Sequence, residues 1–168
     1  MQDRVDDIVA AWRGVRPELD PSPMGIVGRL SRAARLIERR MDEDYRQHSL
    51  TAAEFDVLAT LRRSGEPYRL LPTDLYRETM LSSGAMTARL DKLEARGLVA
   101  RGPNPDDRRS VTVTLTGAGL DVVDRAMDSH LACEDRMLAA LSDTQRSALE
   151  DLLRTLLVSL GDHGRKLE

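Results

Sequence analysis

Apolar residues recur at the spacing of an α-helix over most of the chain. The first such set consists of Val5, Ile8, Val9 and Trp12. Because these positions share one helical face, they predict an amphipathic helix over residues 4–15. The same spacing predicts further helices from residue 23 to about 47, from 51 to about 64, from 71, from 83 to about 96, from 116 and from 142.

Residues typical of helix ends support these boundaries. Ser22 followed by Pro23 predicts an N-cap and a first helical residue. Two S/T-x-x-E/Q patterns, Thr51 to Glu54 and Ser142 to Gln145, have the form of a capping box. Gly97 stands where a glycine commonly ends a helix.

Residues 98–115 change from helical spacing to a period of two. Val111–Leu115 alternates apolar and polar residues, and Leu98–Arg101 is a second short strand candidate. The connecting residues 102–109 are rich in Gly, Pro, Asp and Arg, so the two strands predict a wing with a charged tip.

The predicted fold class is therefore mainly α with a small β-wing, that is, a winged helix–turn–helix flanked by N- and C-terminal helices. We expect residues 1–50 to hold two N-terminal helices, residues 51–115 the winged helix–turn–helix, and residues 116–168 the C-terminal helices.

Composition narrows the class of protein. The 168 residues are 41% apolar, without an apolar run long enough to span a membrane, so no membrane partner is expected. The start of the chain lacks the pattern of a secretion signal and there is one cysteine, Cys133, so we expect a cytoplasmic location.

The net charge is −3, yet Ser82 to Arg109 holds six Lys/Arg against four Asp/Glu. Because binding depends on local charge, this basic segment can bind nucleic acid although the protein as a whole is acidic.

The order helix, turn, helix and wing suits duplex DNA, because a helix fits the major groove. Ser82, Ser83 and Thr87 lie on the first turns of the second helix, where hydroxyl groups can contact bases and phosphates. Arg108 and Arg109 at the wing tip can enter the negative potential of a minor groove, with Asp107 holding an arginine extended. The alternative is a core helix with a solvated hairpin.

The whole chain resembles the MarR family of transcription regulators. The resemblance is carried by residues 55–61 (FDVLATL), 83–94 (SGAMTARLDKLE), 97–99 (GLV) and 104–111 (NPDDRRSV), followed by Leu115-Thr116. It implies that Asp107 and Arg109 pair and that the arginine enters the minor groove. It also implies a homodimer joined by dimerisation helices in residues 1–50 and 116–168, with residues 51–115 as the DNA-binding domain on double-stranded DNA at a pseudo-palindromic operator.

Three residues stand in unexpected places. Asp56 interrupts the apolar run of residues 55–61, Arg89 precedes the core residue Leu90, and Trp12 is the single tryptophan. Because a buried charge needs a partner, Asp56 and Arg89 can pair, with Trp12 covering a pocket beside them. The alternative is a structural ion pair and a tryptophan that packs in a dimer.

The chain also resembles the urate-responsive branch of this family, the PecS and HucR type, which has an extra N-terminal helix. That resemblance implies that Trp12, Asp56 and Arg89 contact a small anionic aromatic ligand such as urate, which would lower DNA affinity. A different effector, or none, remains an alternative for such a repressor. No cofactor is required under this hypothesis.

Other classes of function have less support. The sequence holds no Gly-rich phosphate loop, no nucleophile motif and no histidine pair at metal-ligand spacing, so we expect neither an enzyme nor a metal site. A helical adaptor that uses the same fold without binding DNA remains as the second alternative.

Overall fold

The computed structural model describes residues 2–79, 83–105, 107 and 109–163, without the side chains of residues 83–85. Seven helices and three strands lie within these residues. They are α1 (Arg4–Val15), α2 (Ser22–Gln47), α3 (Ala52–Arg63), β1 (Arg69–Leu70), α4 (Pro72–Glu78), α5 (Ser83–Ala95), β2 (Val99–Pro103), β3 (Val111–Leu115), α6 (Gly117–Leu138) and α7 (Asp143–Ser159). The predicted class, mainly helical with a β-wing, is confirmed.

Capping residues begin the helices largely as predicted. The capping boxes of α3 and α7 form with Thr51 and Ser142, and a third one, which the sequence analysis did not predict, starts α1 at Asp3. The prediction for α2 is wrong by one residue, because Ser22 is its first helical residue and Pro21 is the N-cap. Asp20 instead accepts the backbone N–H of Ser22, at 3.0 Å.

The sheet contains one strand more than the sequence predicted. Its order is β1-β3-β2 and both pairings are antiparallel, so β3 is central and the wing strands β2 and β3 are neighbours. β1 has two residues, which pair with Thr114 and Val113. So short a strand leaves no alternation to detect, and only its pairing with β3 defines it.

The chain divides into two compact units, Met1–His130 and Leu131–Glu168. In the first unit, leucines from α3, α4 and α5 form a core: Leu58, Leu61, Leu75, Leu90 and Leu93 are 0–2% exposed. Burying one leucine side chain contributes about 1.5–3 kcal/mol to folding, so this cluster fixes α5 against α3 and α4.

The C-terminal turn of α5 is fastened to the start of α6. Gly97 ends the helical segment with a φ of 68°, and its carbonyl accepts the Thr116 hydroxyl at 2.7 Å. Gly119 lies so close to the backbone of Leu98 that a Cβ atom there would stand 1.9 Å from the Leu98 carbonyl oxygen. Only glycine permits this approach, and it sets where α6 begins relative to α5.

In the second unit the apolar residues are largely exposed. No residue of α7, all of which the structure describes, is buried. Five leucines of α7 and its C-cap are 36–75% exposed, namely Leu149, Leu152, Leu156, Leu157 and Leu160. Among the described residues, no helix is long and apolar enough to cross a membrane.

Candidate nucleic-acid interface

Helix α5 turns one face into the core and leaves another exposed. Met86, Leu90 and Leu93 are buried, while Thr87 is exposed. α5 also packs against α3, α4 and β2, so its exposed face has a fixed orientation within the first unit. Ser83 is the first residue of α5, with its side chain outside the described part, and Ser82 lies outside the described residues.

The wing tip is closed by hydrogen bonds between its two sides. The Asn104 backbone N–H donates to the Ser110 carbonyl at 3.0 Å, and the Asn104 amide donates to the Ser110 hydroxyl at 2.9 Å. The carbonyl of Asp107 accepts the Ser110 N–H at 3.0 Å. These bonds make a short, defined tip at the end of β2 and β3.

Asp107 and Arg109 lie together at that tip, both exposed. The Asp107 carboxylate accepts the backbone N–H of Arg109 at 3.0 Å, so the contact in this structure involves the Arg109 backbone rather than its guanidinium. Arg108 lies outside the described residues. The exposed Arg109 side chain is available to an anionic partner.

A strand arginine, Arg101, links the wing to α5, and its one signal in the sequence was a further positive charge between Ser82 and Arg109. The Arg101 guanidinium contacts Asp91 and Glu94 of α5, with Nη1 2.7 Å from a carboxylate oxygen of each. Burial opposes the charged form of Arg101, but its hydrogen bonds to Asp91 and Glu94 prevail and raise the pKa of the guanidinium. The arginine is therefore a fixed positive charge between β2 and α5.

Helix α4 adds residues that the sequence analysis missed. Thr73, Tyr76 and Arg77 line a groove of about 420 Å³ together with Thr87 of α5. Tyr76 and Arg77 are exposed. The first helix of a helix–turn–helix crosses the DNA backbone, so the position of these residues before the turn was the available signal.

Asp56 and Arg89 lie near each other without forming a hydrogen bond. Burial raises the pKa of Asp56, and the charges of Arg63 and Arg89 oppose this in part. Nη1 of Arg89 is buried and finds no hydrogen-bond partner among the described residues. Arg63, which the sequence analysis did not select, thus joins Asp56 and Arg89.

A cavity of about 530 Å³ lies beside Arg89. Its charged lining comes from α2, α3 and α5, namely Asp42, Arg46, Glu54, Arg89 and Lys92. Three of these side chains are cationic and two are anionic. Volume and charge suit a small ligand that carries a negative charge.

Of the three predicted ligand residues, Arg89 lines this cavity, whereas Trp12 and Asp56 do not. Val5 of α1 packs on Gly28, and an apolar groove there continues towards Met24, so the end of α1 that holds Trp12 lies near the start of α2. The cavity lies at the other end of α2, at Arg46, about 27 Å from Gly28 along the helix axis. The structure brings Asp56 and Arg89 together, and leaves Trp12 of the same chain apart from them.

The part of the chain that the structure describes offers no metal site. Within residues 2–79, 83–105, 107 and 109–163, no group of three or more His, Cys, Asp or Glu side chains could hold a metal ion.

The buried α5 face, the exposed α5 face and the closed wing define a winged helix–turn–helix of the DNA-binding class.

Comparison with known proteins identifies the family. The sequence model of the MarR family matches residues 48–110. The HTH-type transcriptional regulator PecS of Dickeya dadantii is 41% identical over 149 residues, which are 89% of this chain and 90% of that protein. The chain belongs to the MarR family of DNA-binding transcriptional regulators, which need no cofactor.

Solved structures agree with this assignment. A mutant of MarR from E. coli in complex with operator DNA matches with a TM-score of 0.68 at 27% identity, covering 87% of this chain and 97% of that one. Bordetella bronchiseptica BpsR, whose DNA binding is regulated by 6-hydroxynicotinic acid, matches with a TM-score of 0.68 at 28% identity, covering 78% and 91%.

Proposed function

We propose that this protein is a homodimeric repressor of transcription that binds a pseudo-palindromic operator. In this proposal α5 enters the major groove, where Ser82, Ser83 and Thr87 contact bases or phosphates. The wing follows the neighbouring minor groove, with Arg108 and Arg109 against the backbone and Asp107 shaping the tip. The observation that carries the proposal is the rigid mounting of α5 beside a closed wing that ends in an exposed arginine.

The dimer is proposed from exposed apolar surface. Contiguous apolar patches on a soluble protein commonly mark an interface. Besides the α7 leucines, α2 exposes Ile26, Val27, Leu36 and Ile37. A second copy of the chain would cover these faces, and a two-fold dimer would present two α5 helices to half-sites about 10 base pairs apart.

Salt dependence of duplex binding tests the DNA proposal against the adaptor alternative. Each phosphate contact releases counterions, so log K should fall linearly with log salt concentration, with a slope of about −0.9 per contact. Fluorescence anisotropy with a duplex selected from a random pool, measured from 50 to 200 mM salt, gives this slope. An adaptor would select no duplex and show no such slope.

We further propose that a small anionic aromatic ligand, such as urate, binds at Arg89 and Asp56 and weakens operator binding. Buried Nη1 of Arg89 offers an unused donor to an anionic oxygen, and the nearby cavity has room for a purine-sized ring. Asp56 lies near Arg89 without lining this cavity, and in this proposal its carboxylate accepts a ring N–H of the bound ligand. Because Arg89 belongs to α5, a ligand that draws on Arg89 would act on the DNA-reading helix directly.

The regulation of BpsR by 6-hydroxynicotinic acid supports this class of effector, since that compound is also an anionic aromatic. The test is a titration of the protein–operator complex with urate at fixed salt, with an Arg89→Gln variant as the control. We expect urate to dissociate the wild-type complex and to leave the variant complex intact. If millimolar urate leaves wild-type affinity unchanged, the effector is another compound or absent.

Trp12 would contact this ligand only from α1 of a second copy, because α1 of the same chain lies at the far end of α2. As the single tryptophan, Trp12 gives a direct readout. Quenching of its fluorescence by urate, corrected for absorption, would place it beside the ligand. Unchanged fluorescence with retained urate response would restrict the site to Asp56 and Arg89.

A further inference from the structure

We propose that Arg101 is a positioning residue for DNA binding, which acts as the counter-ion of Asp91 and Glu94 on α5. This inference rests on the proposed placement of α5 in the major groove. It concerns a residue of the first wing strand that need not touch DNA. Its role is to remove negative charge from a helix that must approach phosphates.

The geometry singles out Arg101. Its Nη1 lies 2.7 Å from Oδ1 of Asp91 and 2.7 Å from Oε2 of Glu94, and its backbone N–H donates to Oε1 of Glu94 at 3.0 Å. Two carboxylates of α5 therefore converge on one residue of β2. Charge-assisted bonds of this length are about twice as strong as neutral hydrogen bonds, and Arg101 forms two of them.

The position of the two carboxylates explains why they need a counter-ion. Asp91 follows Thr87 by one helical turn, so it shares the exposed face that we assign to DNA reading. The side chains of Asp91 and Glu94 are 59% and 38% exposed, and a DNA phosphate would face them directly. Like charges placed opposite each other across an interface are strongly unfavourable.

The other charges of α5 do not supply this compensation. Arg89 lies on the cavity side of the helix with a buried guanidinium nitrogen, and Lys92 lines the same cavity. Arg101, whose side chain is 28% exposed, is the cation placed against Asp91 and Glu94 within the described part of the chain.

A double-mutant cycle distinguishes a counter-ion from a direct DNA contact. The variants are Arg101→Met, Asp91→Asn/Glu94→Gln, and their combination, each measured as a full-length protein on a duplex selected with the wild type. We expect Arg101→Met to weaken binding about tenfold, because it exposes two carboxylates to phosphates. We expect Asp91→Asn/Glu94→Gln to bind within about threefold of wild type, and the combination to bind within about threefold of that parent.

Conservative and remote substitutions complete the design. Arg101→Lys keeps the charge and should retain affinity within about threefold. Arg62→Met is the matched control, because Arg62 is also an ion-paired arginine, 2.8 Å from Asp124. It should leave operator affinity unchanged. Thermal unfolding of every variant shows that affinities refer to folded protein.

Three outcomes would overturn the inference. Equal losses from Arg101→Met in both backgrounds would make Arg101 a direct DNA contact. A loss in Asp91→Asn/Glu94→Gln as large as that of Arg101→Met would show that the link between strand and helix matters, and not the charge. Unchanged affinity in Arg101→Met would leave Arg101 a structural residue. If the wild type selects no duplex, the proposed function is contradicted rather than the role of Arg101. This result is known before any variant is made.

Discussion

Most leucine side chains of the winged helix–turn–helix are buried, whereas most of those of the C-terminal helix α7 are exposed. In α3, α4 and α5 the core leucines Leu58, Leu61, Leu75, Leu90 and Leu93 are 0–2% exposed, so these helices bury their leucines within one chain. The leucines of α7 remain 36–75% exposed. The difference indicates that the winged helix–turn–helix can adopt its structure within one chain, whereas α7 has an apolar face that the proposed dimer would cover.

The largest loss of operator affinity is expected when charged residues replace leucines on the exposed apolar face of α7. Leu152→Glu/Leu156→Glu places two carboxylates on α7 where we propose contact between copies. Dimers should dissociate, and operator affinity should fall by more than about a hundredfold, because both half-sites are needed for tight binding. Analytical ultracentrifugation and anisotropy measure the two effects.

Ser147→Glu is the control for this change, because Ser147 is an exposed residue of α7 on the side opposite its leucines. It should leave both mass and affinity unaltered. A charged double variant that stays dimeric would show that α7 is not the interface.

A matched pair of leucine truncations sharpens the comparison. Leu93→Ala opens a cavity in the closed core and should cost about 2–5 kcal/mol of unfolding free energy at every protein concentration. Leu152→Ala should act through the dimer, so its effect on the melting temperature should depend on protein concentration. Calorimetry over a hundredfold range of concentration separates the two. The same concentration dependence for both variants would remove the distinction between the two regions.

The wing arginine should have a smaller effect that is confined to DNA. We expect Arg109→Ala to lower operator affinity by about 1–3 kcal/mol and to leave the dimer intact, since Arg109 is exposed at the tip. Salt titration should show a slope reduced by about 0.9 if one phosphate contact is lost. Arg109→Lys, which keeps the charge, separates charge from guanidinium geometry. Unaltered affinity in Arg109→Ala would exclude the wing from binding.

The smallest effect concerns Asp56, a half-buried carboxylate in α3 beside the closed core. Its pKa is raised above the ordinary value of 3.8 by burial, so the folded state holds this proton more tightly than the unfolded state does. The contribution of Asp56 to stability therefore falls as pH rises from 3.8 through the raised pKa, and the ionised Asp56 carboxylate is a net cost at neutral pH.

Asp56→Asn removes that cost. Its melting temperature should exceed that of wild type at pH 7, with the difference shrinking towards pH 4. If the proposed effector site is correct, the variant should also respond less to urate. A variant less stable than wild type at pH 7 would mean that Arg63 and Arg89 outweigh the burial of Asp56.

Local signals in the sequence predicted most of the elements. The capping boxes at Thr51 and Ser142, Gly97 at the end of α5 and the alternation of residues 111–115 all act within a few residues, so they can be recognised without the fold. Strand β1 had no such signal, because it has two residues and depends on β3. The roles of Ser82, Ser83, Thr87, Asp107, Arg108 and Arg109 stay predictions.

Only part of the candidate ligand site could be predicted from the sequence. Asp56 and Arg89 were selected as charges among apolar residues, and the structure brings them close. Arg63 shares α3 with Asp56 and Lys92 shares α5 with Arg89, whereas Asp42 and Arg46 belong to α2. Only the packing of the three helices brings these residues to one place. Trp12 has no place there within one chain, because α1 docks on the opposite end of α2.

The sequence by itself determined the helices, the wing and the family, because periodicity, caps and turn residues operate over short distances. Tertiary structure decided which charges meet. Arg101 lies on β2, six residues after the end of α5 at Ala95. Because the chain turns back after α5, β2 brings Arg101 to Asp91 and Glu94. Contacts of this kind depend on how elements pack, and a linear pattern of residues does not encode them locally.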